Sequence, residues 1–284
     1  MTAALALVEQ VWRRVRRGVP LKLYPILAPV HRLRRKHQIK SLAEDDERLR
    51  RTEPDLVAPP AELRYNVAGP CTIPQFLAAG DQTVTDIDRA LHAIGRSLAG
   101  VTRLLDFGCG CGRLLLSLER QVPARVALSG CDVDARAVQW CQDHLRRARC
   151  VTNDPLPSAP FESGTFDLIW CGSVFTHLDE ERQDQWLHEL HRLLAPGGIL
   201  LASVHGEACW ASRLSAHRRA ILQRDGMTFA RFGLDAGVHP DWYQIAWHTE
   251  DYVRAHWGAI FRIVRYLPRG LHAYQDIVVA QRPM

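Results

Sequence analysis

The chain has 284 residues, 47% apolar and 24% charged, with a formal charge of +5. That composition suits a soluble globular protein with room for one substantial α/β domain and small additions. No run of about 18 apolar residues occurs, so no membrane-spanning helix is expected. The charge is uneven: residues 1–40 hold ten Lys/Arg against one acid, Glu9, a local charge of +9 that leaves −4 for the remainder. The basicity is therefore an N-terminal property.

Val8, Val11, Trp12, Val15 and Val19 recur at helical spacing with arginines on the other faces, the pattern of an amphipathic helix. Pro20, Pro25 and Pro29 interrupt the chain before a second basic run, Arg32–Lys36. Residues 1–40 are expected either to rest on an anionic membrane surface or to pack on the domain or on a second subunit. Glu9 and the arginines rule out a secretory signal, although an Arg-rich, acid-poor organelle address fits equally. Residues 44–60 are charged, end in Pro59-Pro60 and read as a linker. Thus residues 1–60 form a basic helical extension and linker, and residues 61–284 form the main domain.

A helix is expected from Val84 to Leu98, stopped by Gly100. A strand, glycine turn, helix and strand follow: Val101–Phe107, then a helix opening at Leu114, then Arg125–Cys131. Ala135–Arg147 is helical, Phe166–Cys171 a strand, Glu180–Leu194 a helix closed by Pro196-Gly197-Gly198, and Ile199–Val204 another strand. Residues 205–250 break the rhythm and read as an insertion. Phe261–Tyr266 and Asp276–Ala280 look like a final strand pair. Alternating strands and helices imply an α/β fold with a doubly wound, mostly parallel sheet. The eight cysteines form no CxxC pair and no zinc-ligand spacing, and no His/Asp/Glu cluster has metal spacing. A reduced, cytoplasmic, metal-independent protein is the expectation.

The informative stretch is Leu104-Leu105-Asp106-Phe107-Gly108-Cys109-Gly110-Cys111-Gly112-Arg113. Glycines at alternate positions between a strand and a helix permit positive φ and close approach of a ligand to the backbone. Dinucleotide sites space their glycines GxGxxG and seat a pyrophosphate on the helix N-terminus. Here the spacing is GxGxG, and Asp106 precedes the first glycine by two residues. A carboxylate there repels a pyrophosphate and attracts an ammonium, which favours a cofactor with a cationic amino-acid end such as S-adenosylmethionine. Asp132, twenty residues after Gly112 at the end of the second strand, can accept from both ribose hydroxyls, or it caps the next helix. Asp134 is the stronger cap candidate.

From about residue 101 to 204 the chain resembles class I, Rossmann-like, S-adenosylmethionine-dependent methyltransferases. LDFGCGCGR resembles their first motif and SGCDVD their ribose motif. VTNDPLPSAPFESGTFDLIW, SVFTHL and LAPGGILLAS resemble the segments around strands four and five. The resemblance implies a seven-stranded sheet whose last strand is inserted antiparallel. It implies that Asp106 attracts the methionine ammonium through the loop of Gly108, Gly110 and Gly112. Asp132 would then bind the ribose and Val133 the adenine face, with Asn153 or Asp154 on the adenine amino group. Cys171 would offer its carbonyl to the ammonium. Arg113 either meets the cofactor carboxylate or is a helix-surface arginine.

The segment after strand four reads Cys171-Gly172-Ser173-Val174 rather than the Asn/Asp-Pro-Pro-Tyr/Phe pattern of amino methyltransferases acting on nucleic-acid bases or glutamine. The core also lacks a dense basic, aromatic-interleaved patch, so no nucleic acid is expected. Residues 205–250, with His205, His217, His239, Trp242, Tyr243, Trp247 and His248, are the expected acceptor wall. An oxygen acceptor needs its proton removed, which makes His177, His205, Tyr243 and His248 the catalytic candidates, against a reading in which they only hold loops together. The expected acceptor is a small molecule, through an oxygen of a saccharide, lipid-linked or natural-product compound. The rival readings are a non-catalytic cofactor-binding module, a nicotinamide-dependent oxidoreductase and an RNA methyltransferase.

Overall fold

The computed structural model describes residues 24–211, 213–230 and 243–284. The amphipathic stretch from Val8 to Val19, and His239 and Trp242 of the insertion, lie outside them. Helix α1 (Tyr24–Thr52) continues where the sequence suggested prolines and then a linker. Pro25 falls in its first turn, where the backbone N–H has no partner to lose, and Pro29 removes a single ladder bond from a 29-residue helix. Residues 44–52 are helical, and several of their charges find partners. Lys40 pairs with Glu44 at 3.9 Å, Arg48 with Asp45, and Asp46 with the next helix.

Helix α2 (Ala61–Ala68) and helix α3 (Ile73–His92) lead into the sheet. α3 starts well before Val84. Thr72 accepts from Gln75 N and Gln75 Oε1 accepts from Thr72 N, a reciprocal cap that with Pro74 in the first turn fixes the start.

The α/β core comprises β1 (Arg103–Phe107), α4 (Arg113–Gln121), β2 (Ala127–Asp132), α5 (Ala135–His144), β3 (Ala148–Thr152), β4 (Phe166–Cys171), α6 (Glu180–Leu193) and β5 (Leu194–Val204). The insertion adds the short α7 (Glu207–Trp210), α8 (Ala216–Asp225) and the antiparallel pair β6 (Met227–Ala230) and β7 (Ile245–His248). Helix α9 (Glu250–His256), β8 (Arg262–Leu271) and β9 (Gln275–Gln281) close the chain.

The seven-stranded sheet runs β3-β2-β1-β4-β5-β9-β8. Strands β1 to β5 pair in parallel, and β9 lies antiparallel between β5 and β8. Strand side chains alternate between two cores, as a period of two requires. Leu104, Leu168, Leu201 and Val279 pack with α3, α4 and α5 on one face. Their neighbours Leu105, Ile169, Leu200 and Val278 pack with α6 and α9 on the other. Trp210, Leu214, Leu222, Ala230 and Trp247 form a separate small core within the insertion. Among the described residues no helix is long and apolar enough to cross a membrane.

The extension is fastened through a buried ion pair. Arg64 of α2, fully buried, donates to both carboxylate oxygens of Asp46 at 2.9 and 2.7 Å and to the Pro59 carbonyl at 2.5 Å. Removing one partner of such a pair strands the other charge. Asp46→Ala is therefore expected to lower the unfolding free energy by about 3–5 kcal/mol, read from urea midpoints.

Candidate active site

The strand order reverses between β1 and β4, which opens a crevice at the carboxyl ends of these strands, the usual ligand position in such sheets. A cavity of about 400 Å³ fills it. Of the residues singled out from the sequence, Asp106, Gly108, Gly110, Arg113, Asp132, Val133, Asn153 and Tyr243 line it. Gly112, Asp154, Cys171, His177, His205 and His248 do not.

The turn after β1 is held in one conformation. Gly108 and Gly110 have φ of +78° and +51°, and a Cβ at either would stand 2.4 Å from Val174 Cγ2 or 2.6 Å from Val67 Cγ2. Only glycine fits. Gly112 precedes α4 in the left-handed conformation. The Gly110 N–H donates to Asp132 Oδ2 at 2.7 Å and the Asp134 N–H to Asp132 Oδ1 at 2.9 Å, so Asp132 sits at the junction of two turns. Burial raises its pKa and these backbone donors oppose the rise. Asp134 takes the capping role, accepting from Arg136 N and Ala137 N.

Asp106, buried at the end of β1, has its pKa pushed up to about 8 by burial, with Cys150 adding to the rise and Arg113 opposing it. Arg113 opens α4 and lines the cavity rather than the outer surface. Burial lowers its pKa and Asp106 opposes the loss. Asn153 is buried and donates to the Asp154 carbonyl at 2.8 Å, whereas Asp154 is exposed. Cys171 is fully buried in β4, and the cavity wall there belongs to Trp170, Gly172 and Ser173.

Ser173 has φ of +59°, a strained value for serine. Its N–H donates to Ser203 Oγ at 2.7 Å, and its hydroxyl pairs with the Gln275 side chain, which fixes the turn from β4 against β5 and β9. The sequence reading missed this network, and also Asn66, Val67, Thr83 and Leu271 on the opposite wall. They belong to elements far apart in the chain, and no local spacing announces them.

On the insertion side Tyr243 alone of the four catalytic candidates reaches the cavity. His177 stacks on it with ring centroids 4.2 Å apart, and its Nδ1–H donates to the Gln244 carbonyl at 2.6 Å, which leaves the lone pair on Nε2. His205 lies behind, 6.4 Å from His177, donating from Nδ1 to the Ala246 carbonyl at 3.1 Å. Burial pushes its pKa down to about 4. His248 is fully buried, donates to Gln183 Oε1 at 3.0 Å, and is pushed down to about 3 by burial. Gln183 is itself fixed, donating to the carbonyls of Phe175 and Leu178. His248 therefore belongs to the packing between insertion and α6.

Residues 104–198 match the family model described as a methyltransferase domain. Over 106 residues the chain is 30% identical to a tRNA1(Val) (adenine(37)-N6)-methyltransferase of Citrobacter koseri, a match covering 34% of this chain and 43% of that protein. It is 29% identical over 139 residues to a ubiquinone/menaquinone biosynthesis C-methyltransferase of Geobacter sulfurreducens, covering 46% and 54%. The matches thus span about half the length of these curated relatives. Among solved structures, an S-adenosylmethionine-dependent methyltransferase of Clostridium acetobutylicum superposes with a TM-score of 0.51 at 11% identity, over 72% of this chain and 92% of that one. Residues 104–198 thus carry a methyltransferase domain, and the seven-strand order with an antiparallel β9 is the fold of class I S-adenosylmethionine-dependent methyltransferases.

Proposed function

We propose that this chain transfers the methyl group of S-adenosylmethionine to an oxygen of a small-molecule acceptor that enters beside Tyr243. The observation that carries the cofactor part is a pair of carboxylates, the buried Asp106 and the partly buried Asp132, flanking a glycine turn in one cavity. Two acids there disfavour a pyrophosphate and suit an ammonium and a ribose diol. Asp106 holds the ammonium, Asp132 the ribose, Asn153 the adenine edge with Val133 on its face, and Arg113 the carboxylate. Gly108 and Gly110 supply the cradle that a Cβ would fill.

The bound sulfonium supplies a methyl electrophile, so the chain's own work is alignment and proton removal. Tyr243 contacts the acceptor, and His177, stacked behind it, holds that wall in position. The turn at Ser173 sets the floor. The residues after β4 lack an Asn/Asp-Pro-Pro-Tyr/Phe motif, which argues against amino methylation of a nucleic-acid base despite the tRNA-modifying relative. The testing experiment is titration with S-adenosylhomocysteine and NAD, followed by a labelled-methyl screen of small hydroxylated compounds and RNA. Label on hydroxylated compounds is the expected result. Salt-sensitive RNA retention with label on RNA would replace the small-molecule reading, and NAD binding alone would replace the cofactor.

Four outcomes follow from the geometry. Asp132→Ala is expected to weaken S-adenosylhomocysteine binding by about 1–3 kcal/mol in calorimetry, the scale for hydrogen-bonding groups left unpaired. Below about pH 8 the empty site holds a proton on Asp106. Placing an ammonium there expels that proton, so affinity is expected to rise by up to about tenfold per pH unit toward pH 8 and then level off; Asp106→Asn should flatten the slope. His177→Ala should retain cofactor affinity while losing turnover. His248→Ala should instead lose stability by about 1–3 kcal/mol, because Gln183 Oε1 is left unpaired in the interior.

A further inference from the structure

Three cysteines far apart in sequence meet directly beneath the glycine turn. Cys109 comes from the turn itself, Cys141 from α5 and Cys150 from β3. All three are buried, and their sulfur atoms lie within 4.8 Å of one another. Cys109 and Cys141 both donate to the Gly110 carbonyl at 3.6 Å. Neighbouring glycines abut the cluster: a Cβ at Gly112 would stand 3.0 Å from Cys141 Sγ, and one at Gly130 3.0 Å from Cys109 Sγ.

We propose that Cys109, Cys141 and Cys150 form a three-thiolate site for a soft, thiophilic metal ion, reached through the cofactor cavity. Three thiolates around an ion at a metal–sulfur distance of about 2.3 Å stand about 4 Å apart, so the cluster needs to contract by less than 1 Å. No fourth Cys, His, Asp or Glu joins the group among the described residues. That composition disfavours structural zinc, which takes four ligands, and favours softer cations that accept three sulfurs. Binding a divalent ion forms three metal–sulfur bonds and releases the protons still held by the thiols, leaving the site one negative charge. Of the three residues Cys109 lines the cavity, which gives the ion its way in. A cofactor seated on Gly108 and Gly110 closes that way, so cofactor and ion compete for access to the turn.

The thiol site stands on its own geometry; only its gating rests on the proposed cofactor. The test is titration of the full reduced chain with cadmium(II), followed by native mass spectrometry and thiolate-to-cadmium charge-transfer absorption. One cadmium per chain is expected, weakened at least tenfold in Cys150→Ser and unchanged in Cys209→Ser, whose buried thiol lies elsewhere. Should Cys150→Ser fail to fold, pulsed alkylation of the wild-type chain replaces it: cadmium should shield Cys109, Cys141 and Cys150 together and leave Cys71 reactive. No binding, or shielding at other cysteines, would overturn the site and leave the cluster as plain packing. Saturating S-adenosylhomocysteine should slow uptake at least tenfold. Unchanged uptake despite bound S-adenosylhomocysteine would overturn the entry route, and uptake without any S-adenosylhomocysteine binding would instead count against the cofactor assignment alone.

Discussion

The bond from the Gly110 N–H to Asp132 at 2.7 Å ties the turn after β1 to the end of β2, and the site is arranged around it. Two further backbone bonds, Gly108 and Cys109 N–H to the Cys131 carbonyl, repeat the link one layer down. The turn can pass so close to Val174 and Val67 only because residues 108 and 110 lack side chains. With the turn fixed, α4 starts at Arg113 and delivers its guanidinium into the cavity beside Asp106. A buried acid with a raised pKa and a partly buried base with a lowered one face a single space. Such opposed shifts are costly in an empty domain and are retained where a charged ligand relieves them.

The acceptor side is built on a different principle. β7 is fastened to the core by main-chain bonds, Gln244 N–H to the His177 carbonyl, Ala246 N–H to Thr176 and His248 N–H to His205. The histidines at these positions thus serve first as strand-pairing residues, and their rings fill the seam between insertion and sheet. That accounts for the low pKa values of His205 and His248: rings placed in a seam are dry, and burial disfavours their charged forms. Tyr243 stands where the seam meets the cavity, with imidazoles ranked behind it.

These two principles explain what the sequence revealed. The cofactor half is made of contiguous motifs at strand ends, where alternate glycines and an acid at each strand terminus have one physical use. Asp106, Asp132 and Asn153 were legible as cavity residues for that reason, and Asp134 was legible as a cap. The strand pair β6 and β7 was not, since four-residue strands carry too little alternation to be seen. Nor was the difference among the four candidate bases, because which histidine faces a cavity depends on the register of β7 against residues 176 and 177. The start of α3 was legible in principle: Thr72-Ile73-Pro74-Gln75 is a complete capping signal, overlooked beside the stronger apolar periodicity after Val84. The three thiols had no spacing to notice, because residues 109, 141 and 150 meet only through tertiary structure.

The basic extension gains a structural meaning from its contacts. Arg35 of α1 lies over the Tyr65 ring and donates to Asn66 Oδ1 at 2.6 Å, while Gln38 accepts from the Tyr65 hydroxyl. Asn66 and Val67 are themselves cavity residues, and Val67 is the group that a Cβ on Gly110 would strike. Arg136 of α5 reaches Glu62 on the same helix α2, at 3.1 Å. Helix α2 is thus clamped between the extension and the core, with the Asp46–Arg64 pair at its centre. The positive charge of α1 is partly consumed in holding that clamp, so part of the N-terminal basicity is architecture. The wall over the glycine turn comes from α2, and α1 carries Asp46 and Arg35, the residues that keep that wall in place.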